Sequence, residues 1–510
     1  MRKIIFITLI INFPFLNCPN CQGTFLKRYE IAGYENNAYF TTILATDSCY
    51  WAFGTIWDTS KPYFGGTALF KFDLQGNLLK QKELISKTDF YGFNNDMYAN
   101  QNKLYTSILN PYTTSSVIAY DILGDSFQIA TTVGNLLPEG DFLSINNLHF
   151  DLLGNFYLAN AVSSSTSTDL YGQIQLVKFN YKFEQEWKII LGDKNIHDIP
   201  YSITSDQTGR IYIGAQRIKE NYIQGDANYS RSIIYELSNE GKIVKETTAD
   251  RLSGAVYDFV IDEQGNYICA SEVLLPYHPQ RPFAYPAYQK VDKGGNVLFR
   301  QYFEEAPKKE KYYSNFSKIQ KVRDYYYALG GIGVLDEDIQ PLTTESKAIF
   351  VKFDEEGNLI WKRIYNTAFG IEGTNLYDFD ITRDNGFIMN GLGAIGTNDG
   401  LDWKSLLMKV DSFGCLVPGC HLTDNVNSEI KKIGLKIFPN PASDYLALYN
   451  ETNFKLVIQI FDINGKELSK FVILSNETSI VDVSKYPVGS YMMQAFVDGK
   501  PISSEMFVKE

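Results

Sequence analysis

The stretch AIFVKFDEEGNLIWKRIY, residues 348 to 365, recurs along this chain, and the recurrence constrains the fold more than any other feature. Similar stretches stand at 68–84 (ALFKFDLQGNLLKQKEL), 175–190 (QLVKFNYKFEQEWKII) and 288–303 (YQKVDKGGNVLFRQYF). Looser copies occupy 117–130 and 233–246, and a truncated one, LLMKVDSFGC, ends at Cys415, which makes seven. A second unit of strand, tight turn and strand is interleaved with them at 148–160, 202–215, 259–271 and 379–391, with less regular copies near Asp47, Asn102 and Asp324. Each period of roughly fifty to sixty residues then holds four short antiparallel strands, and no amphipathic helix pattern separates them. A four-stranded sheet cannot bury both faces alone, so radial stacking is the solution such a repeat admits. The reading is all-β, a seven-bladed β-propeller over residues 22–420. The 35 Tyr and 34 Phe suit it, because flat half-buried rings pack well on strands. The seventh unit lacks its outermost strand, whereas GTFLKRYE (23–30) resembles GNLIWKRIY (357–365). Residues 25–30 are therefore expected to pair with 406–410 and close the ring, removing an open sheet edge.

Arg2 and Lys3 followed by the apolar run Ile4 to Leu16 read as a signal peptide, residues 1–21, with cleavage before Gln22 and a lipoprotein cut before Cys18 as the alternative. No later segment approaches the twenty apolar residues of a membrane helix, so no transmembrane segment is expected in the mature chain. The net charge of −12 speaks against a nucleic-acid partner, which needs a basic face. In GCLVPGC, Pro418-Gly419 can turn the chain so that Cys415 and Cys420 bond as a disulfide, whereas a zinc site using His421 would be a ligand short. Cys49 and Cys269 read as buried thiols.

A polar linker, 421–434, precedes KIFPNPASDYL (436–446). Pro439 and Pro441 lack N–H donors and stiffen the approach to the strand YLALY, and an Asn-Gly turn in VIQIFDINGKEL joins two more strands. Residues 435–510 read as a small immunoglobulin-like β-sandwich. The repeats resemble the secreted seven-bladed propeller repeats with an FDxxGNxxW signature. They are also similar to quinoprotein propellers, but lack the vicinal cysteine pair and the blade number, so no cofactor is expected. IFPNPASD, DINGKEL and YPVGSYMMQ closely resemble the C-terminal sorting domain (type A) of the type IX secretion system. That resemblance implies a Gram-negative cell, passage through the periplasm, and recognition of this domain by the type IX machinery. It further implies removal of the domain and attachment of the body to surface lipopolysaccharide, or release.

Chemistry is sparse. GLGAIG (391–396) matches a dinucleotide fingerprint but runs into TNDGLDW and not into a helix, so it reads as a blade loop. There is no H-E-x-x-H, G-x-S-x-G or P-loop motif, the four histidines are not spaced for a local metal site, and no metal is expected. Asp96, Asn147, Ser202, Asp258 and Asp378 fall at similar places on the innermost strands. They form either a ring that holds a cation or sugar hydroxyls, or an ordinary polar channel lining. The long connections, among them 272–287 and 331–346, share the face opposite the short turns and are the expected recognition surface. The connection PYHPQRPFAYP (276–286) presents Tyr277, Arg281, Phe283 and Tyr285 among four prolines, either as a stiff contact surface for an extracellular glycan or protein or as packing against a neighbouring blade. The expected function is binding or adhesion at the cell surface or after secretion. The alternative is a propeller hydrolase or lyase acting on extracellular polysaccharide or protein.

Overall fold

The computed structural model describes residues 23–510 apart from 32–33, 35–37, 58–64, 86–95, 111–113, 135–139, 165–171, 194–195, 219–229, 251, 276–282, 304–310, 337–342, 366–373, 398–399, 417–419, 421–434, 451, 453–454, 464, 476 and 498–499. The signal segment 1–21 thus lies outside the described residues, and among those described there is no α-helix. The chain divides into two compact units, 1–418 and 419–510.

The first unit is a seven-bladed β-propeller, seven four-stranded antiparallel sheets that follow one another along the chain. The first strand of each blade is Ala38–Ala45, Tyr98–Asn100, Gly140–Phe150, His197–Ser205, Ser253–Ile261, Lys311–Val322 and Thr374–Ile381 in turn. Six blades use four consecutive strands. The seventh takes Thr374–Ile381, Phe387–Thr397 and Gly400–Val410 from its own stretch and Phe25–Tyr29 from the other end of the unit. The register runs from Phe25 opposite Lys409 to Tyr29 opposite Ser405. It reproduces the outermost pairing of blade six, where Trp361 faces Lys352 and Tyr365 faces Ala348.

The hydrophobic core is not central but lies in seven parcels, each shared by two successive blades. Trp51 and Phe53 of blade one pack with Leu104 and Tyr120 of blade two, and the series continues until Ile388 and Leu407 of blade seven meet Phe40 and Tyr50 of blade one. A seventh parcel between the last blade and the first is what closes the circle.

The repeat signature has a local cause. In the turn after the third strand of blade one, Asp73 Oδ1 accepts the backbone N–H groups of Gln75 and Asn77 at 2.9 and 2.7 Å, and the Asn77 amide bonds Oδ2 at 2.8 Å. Asp292 and Asp354 tie their turns to Asn296 and Asn358 in the same way. The glycine of the motif supplies a left-handed residue (φ +76° at Gly76) that side chains resist. It also leaves room for the preceding blade, because a Cβ at Gly76 would stand 2.5 Å from the Phe25 ring and one at Gly357 2.6 Å from Phe299. Trp187 and Trp361 lie against Gly241 and Gly414 in the same way, and Phe25 does for blade seven what Phe299 does for blade five.

The connections are shorter than the sequence suggested. Strands Tyr325–Asp336 and Thr343–Phe353 pair up to Asp336 and Thr343, so most of 331–346 is ladder and not loop.

The second unit packs the three strands Leu435–Phe438, Tyr445–Asn450 and Thr478–Asp482 against a four-stranded sheet of Leu456–Phe461, Glu467–Ile473, Gly489–Val497 and Lys500–Lys509. Leu446, Leu448, Ile458, Ile460, Met493 and Phe507 are fully buried between them. The Pro-Asn-Pro segment explains itself here. Neither proline can donate, and the Asn440 side chain substitutes for the missing backbone pairing: its Nδ2 donates to Met506 O at 3.0 Å and its Oδ1 accepts from Val508 N at 2.9 Å.

Candidate functional site

A β-bulge interrupts most of the first strands just before one polar residue. Register shifts fall between Phe40 and Thr42, Pro200 and Ser202, Val256 and Asp258, Phe316 and Lys318, and Leu376 and Asp378. In every blade the residue after that polar one is a buried hydrophobic: Ile43, Met97, Leu148, Ile203, Phe259, Ile319 and Phe379. This register defines a ring of seven equivalent positions, Thr42, Asp96, Asn147, Ser202, Asp258, Lys318 and Asp378. Bulges of this kind re-aim side chains, and in these five blades they fall just before the ring residue.

Three of the expected acids converge, and they do so on a cation of the protein itself. Lys318 Nζ lies 2.8 Å from Asp96 Oδ1, 3.8 Å from Asp258 Oδ2 and 4.0 Å from Asp378 Oδ1. The Lys318 side chain is 18 % exposed and that of Asp378 only 6 %. Two backbone donors and one hydroxyl complete the set: Ile319 N donates to Asp258 at 3.0 Å, and Ile43 N and Thr42 Oγ1 donate to Asp378 at 3.0 and 2.7 Å. Asp258 and Asp378 thereby clip their blades to the next, and Asp96 of blade two reaches Lys318 of blade six across the ring. Burial pushes Asp258 up to about 6 and Asp378 upward, against the pull of Lys318. Burial disfavours the Lys318 ammonium too, but Asp96, Asp258 and Asp378 outweigh it and hold it well above the usual lysine range. Asn147 stands apart, fully buried, and donates to Pro200 O at 3.1 Å between blades three and four, and Ser202 is buried as well. Lys318 and Thr42 are ring members that reading the sequence for similar residues passed over.

Beyond the ring, toward the long connections, the extra residue of the bulge is an aromatic in three blades: Tyr201, Tyr257 and Tyr377. The rings of Tyr201 and Tyr257 stand 4.8 Å apart, and Tyr377 is 38 % exposed. Tyr201 OH donates to Gln216 Oε1 at 3.3 Å, and Tyr257 OH to Glu272 Oε2 at 3.1 Å. Glu272 is buried, and burial pushes its carboxyl up to about 7. Gly254 makes room for it, since a Cβ there would sit 2.3 Å from Glu272 Cγ. This tier offers flat apolar faces, hydroxyl and amide groups, and one acid that changes protonation near neutrality.

The loop expected to carry recognition divides. Tyr277 and Arg281 lie outside the described residues. Phe283 opens the strand Phe283–Val291, opposite Leu275. Tyr285 lies within that strand and not in a loop; it is buried beside Tyr288 and Phe303, with its ring 5.9 Å from Tyr302. The pairing of Val273 with Tyr285 draws this part of the proline-rich stretch into the sheet, so Tyr285 is core and not contact surface. Cys415 and Cys420 are both disulfide-bonded, and Cys49 and Cys269 are free and buried. Among the described residues no group of three or more His, Cys, Asp and Glu is arranged to hold a metal.

Comparison with known proteins bears mainly on the second unit. Residues 436–509 match the family described as "Secretion system C-terminal sorting domain". No curated protein sequence matches the chain. Among solved structures, Drosophila semaphorin 2a is similar at 9 % identity and TM-score 0.46, over 96 % of this chain and 98 % of that one. The periplasmic gluconolactonase PpgL of Pseudomonas aeruginosa is similar at 12 % identity and TM-score 0.38, over 88 % and 99 %. The plexin A4 extracellular region is similar at 7 % and 0.42, over 92 % of this chain, which spans 66 % of its length. At these scores none of the three assigns a function. Within the chain, the tail behind the seven-bladed propeller is a type IX C-terminal sorting domain.

Proposed function

We propose that this chain is a surface-displayed or secreted binding protein, in which the long-connection mouth of the propeller channel engages an extracellular glycan or protein. The observation that carries this reading is the tyrosine tier around Tyr201 and Tyr257, which sits where the ring charges are already satisfied by Lys318. Aromatic faces flanked by fixed hydroxyl and amide groups suit sugar rings and peptide side chains. Replacing Tyr201 and Tyr257 together with alanine is expected to weaken binding to glycan and peptide arrays at least tenfold, because aromatic anchors dominate such contacts. Binding unchanged in a variant of normal melting temperature defeats the reading.

One observation favours the alternative hydrolase or lyase. Glu272, hydrogen-bonded to Tyr257, titrates at about 7 and so can both give and take a proton at neutral pH. An enzyme of that kind loses turnover in Glu272→Gln while keeping substrate affinity, whereas a pure binder shows no product release from polysaccharide or peptide panels in either form.

The sorting domain marks the chain for the type IX machinery. We further propose that the signal segment takes it to the periplasm and that the tail is removed as the propeller reaches the surface. Deleting 435–510 is expected to leave a folded propeller held in the periplasm. Cell fractionation checks this, and normal extracellular amounts of the truncated protein would overturn it.

A further inference from the structure

The proposed function occupies the long-connection mouth, but a cavity of about 680 Å3 opens on the opposite, short-turn side of the propeller, among the turns of blades three to six. Its volume lies within the range of small-molecule sites. The residues that form it argue for what it holds.

Its acids are committed. Asp206 accepts from Thr208 N, Thr208 Oγ1, Arg210 N and Tyr212 OH, at 2.6–3.1 Å. Asp262 accepts from Gln264 N and Asn266 N and is paired with Lys290 at 2.8 Å. The turns that build the fold have used these oxygens, so a cation finds no open carboxylate pair there. At the rim Glu263 and Lys321 are exposed with opposite signs, which favours no ionic ligand of either charge.

What remains is uncharged and of two kinds. His149 Nε2 stands 2.8 Å from Ser205 Oγ, and its Nδ1 3.4 Å from Tyr98 OH. Burial pushes this imidazole down to about 4, so it is neutral at physiological pH, although Asp96 and Asp151 pull the other way. With both nitrogens so engaged, the neutral imidazole orients the Ser205 hydroxyl, and the Ser205 and Thr204 hydroxyls each retain donor or acceptor capacity for a ligand. Facing them are apolar surfaces from Phe150, Ile261 and Leu152, the last 85 % exposed at the lip. We propose that this cavity binds a neutral saccharide, with ring hydroxyls on Ser205 and Thr204, the Ser205 hydroxyl held by His149, and an apolar C–H face against Phe150, Ile261 and Leu152. Such pairing of hydroxyl-matching groups with a small apolar platform fits a pyranose better than a wholly apolar or an ionic ligand.

The test is saturation-transfer NMR on the full-length protein with glucose, galactose, mannose, xylose, cellobiose and lactose at millimolar concentration, repeated with three variants. At least one sugar is expected to show transfer, lost in Ser205→Phe, which fills the floor, and reduced at least fivefold in affinity in Leu152→Asp at the exposed lip. The Tyr201/Tyr257 double alanine variant is expected to leave the signal unchanged, since those residues belong to the other mouth. Absence of transfer from every sugar overturns the proposal, as does transfer retained in a folded Ser205→Phe protein. Should Ser205→Phe fail to fold, Leu152→Asp decides alone, and unchanged affinity there overturns it. Loss of signal in the tyrosine variant places the sugar at the long-connection mouth and also overturns it.

Discussion

Removing residues 22–32 is expected to melt the entire propeller about 10 °C or more below the full protein, and not merely to loosen one edge. Phe25 and Tyr29 lie at the joint between the last blade and the first. Phe25 rests over Gly76, and Tyr29 packs against Phe40 and Phe72 with ring centroids 5.6 and 5.0 Å away. The Tyr29 hydroxyl donates to Gly76 O at 2.5 Å, and Lys27 Nζ to Asn77 Oδ1 at 2.6 Å. Truncating one large aromatic in such packing costs about 3–5 kcal/mol. For a domain of this size each kcal/mol shifts the melting point by about 2 °C or somewhat less. The deletion also bares the Gly400–Val410 edge to other chains, so aggregation is expected on heating. Differential scanning calorimetry checks both effects, and an unchanged melting temperature in the deletion protein would mean that the strand is ornament.

Lys318→Met is expected to destabilise the propeller by about 3–5 kcal/mol at neutral pH, the range seen when one partner of a buried ionic set is removed. The loss must depend on pH in a definite direction. Asp258 titrates at about 6 in the folded protein, above the usual unfolded aspartate value of about 3.9. The folded state therefore binds this proton more tightly, and the stability it brings is full below about pH 4 and is lost as pH rises through 6. Without the pull of Lys318, Asp258 and Asp378 are pushed higher still, so the gap between variant and parent widens from pH 4.5 to pH 8. Urea denaturation at the two pH values measures it. Equal gaps at both would show that Lys318 is not neutralising the ring.

The parts of the fold that the chain declared openly are those built by a few adjacent residues. The Asp-x-x-Gly-Asn turn is complete within five positions, because one carboxylate satisfies its own backbone and the glycine takes the one unusual φ. The closing strand was visible for a related reason: it repeats the aromatic that the outer strands of blades three, five and six lay on the next turn's glycine. The ring was only half legible. A search for like residues at like places finds Asp96, Asp258 and Asp378 and passes over Lys318, since the residue that completes an acidic cluster has the opposite sign. Whether Tyr285 makes contact or packs was left open by the sequence because pairing, not composition, decides where a ladder stops, and its partner Val273 lies on another strand. Glu272 carried no local mark at all; its burial depends on the missing side chain of Gly254 and on a tyrosine set by a bulge.

The strand exchange in blade seven also governs timing. Phe25 to Tyr29 are made early, yet their partners, Ser405 to Lys409, follow some 380 residues later. Until then every intermediate is an open arc with two raw ends, however many blades have formed. Closure over so long a span costs little more entropy than over a short one, about 0.6 kcal/mol for each doubling of the loop. It is nevertheless slow to find, because non-local pairing delays folding. The early segment must therefore remain unclaimed by nearer strands through almost the whole synthesis of the unit. The aromatic, lysine and tyrosine of this segment meet blade one while its backbone pairs with blade seven, so its contacts are complete only when both ends of the unit are present.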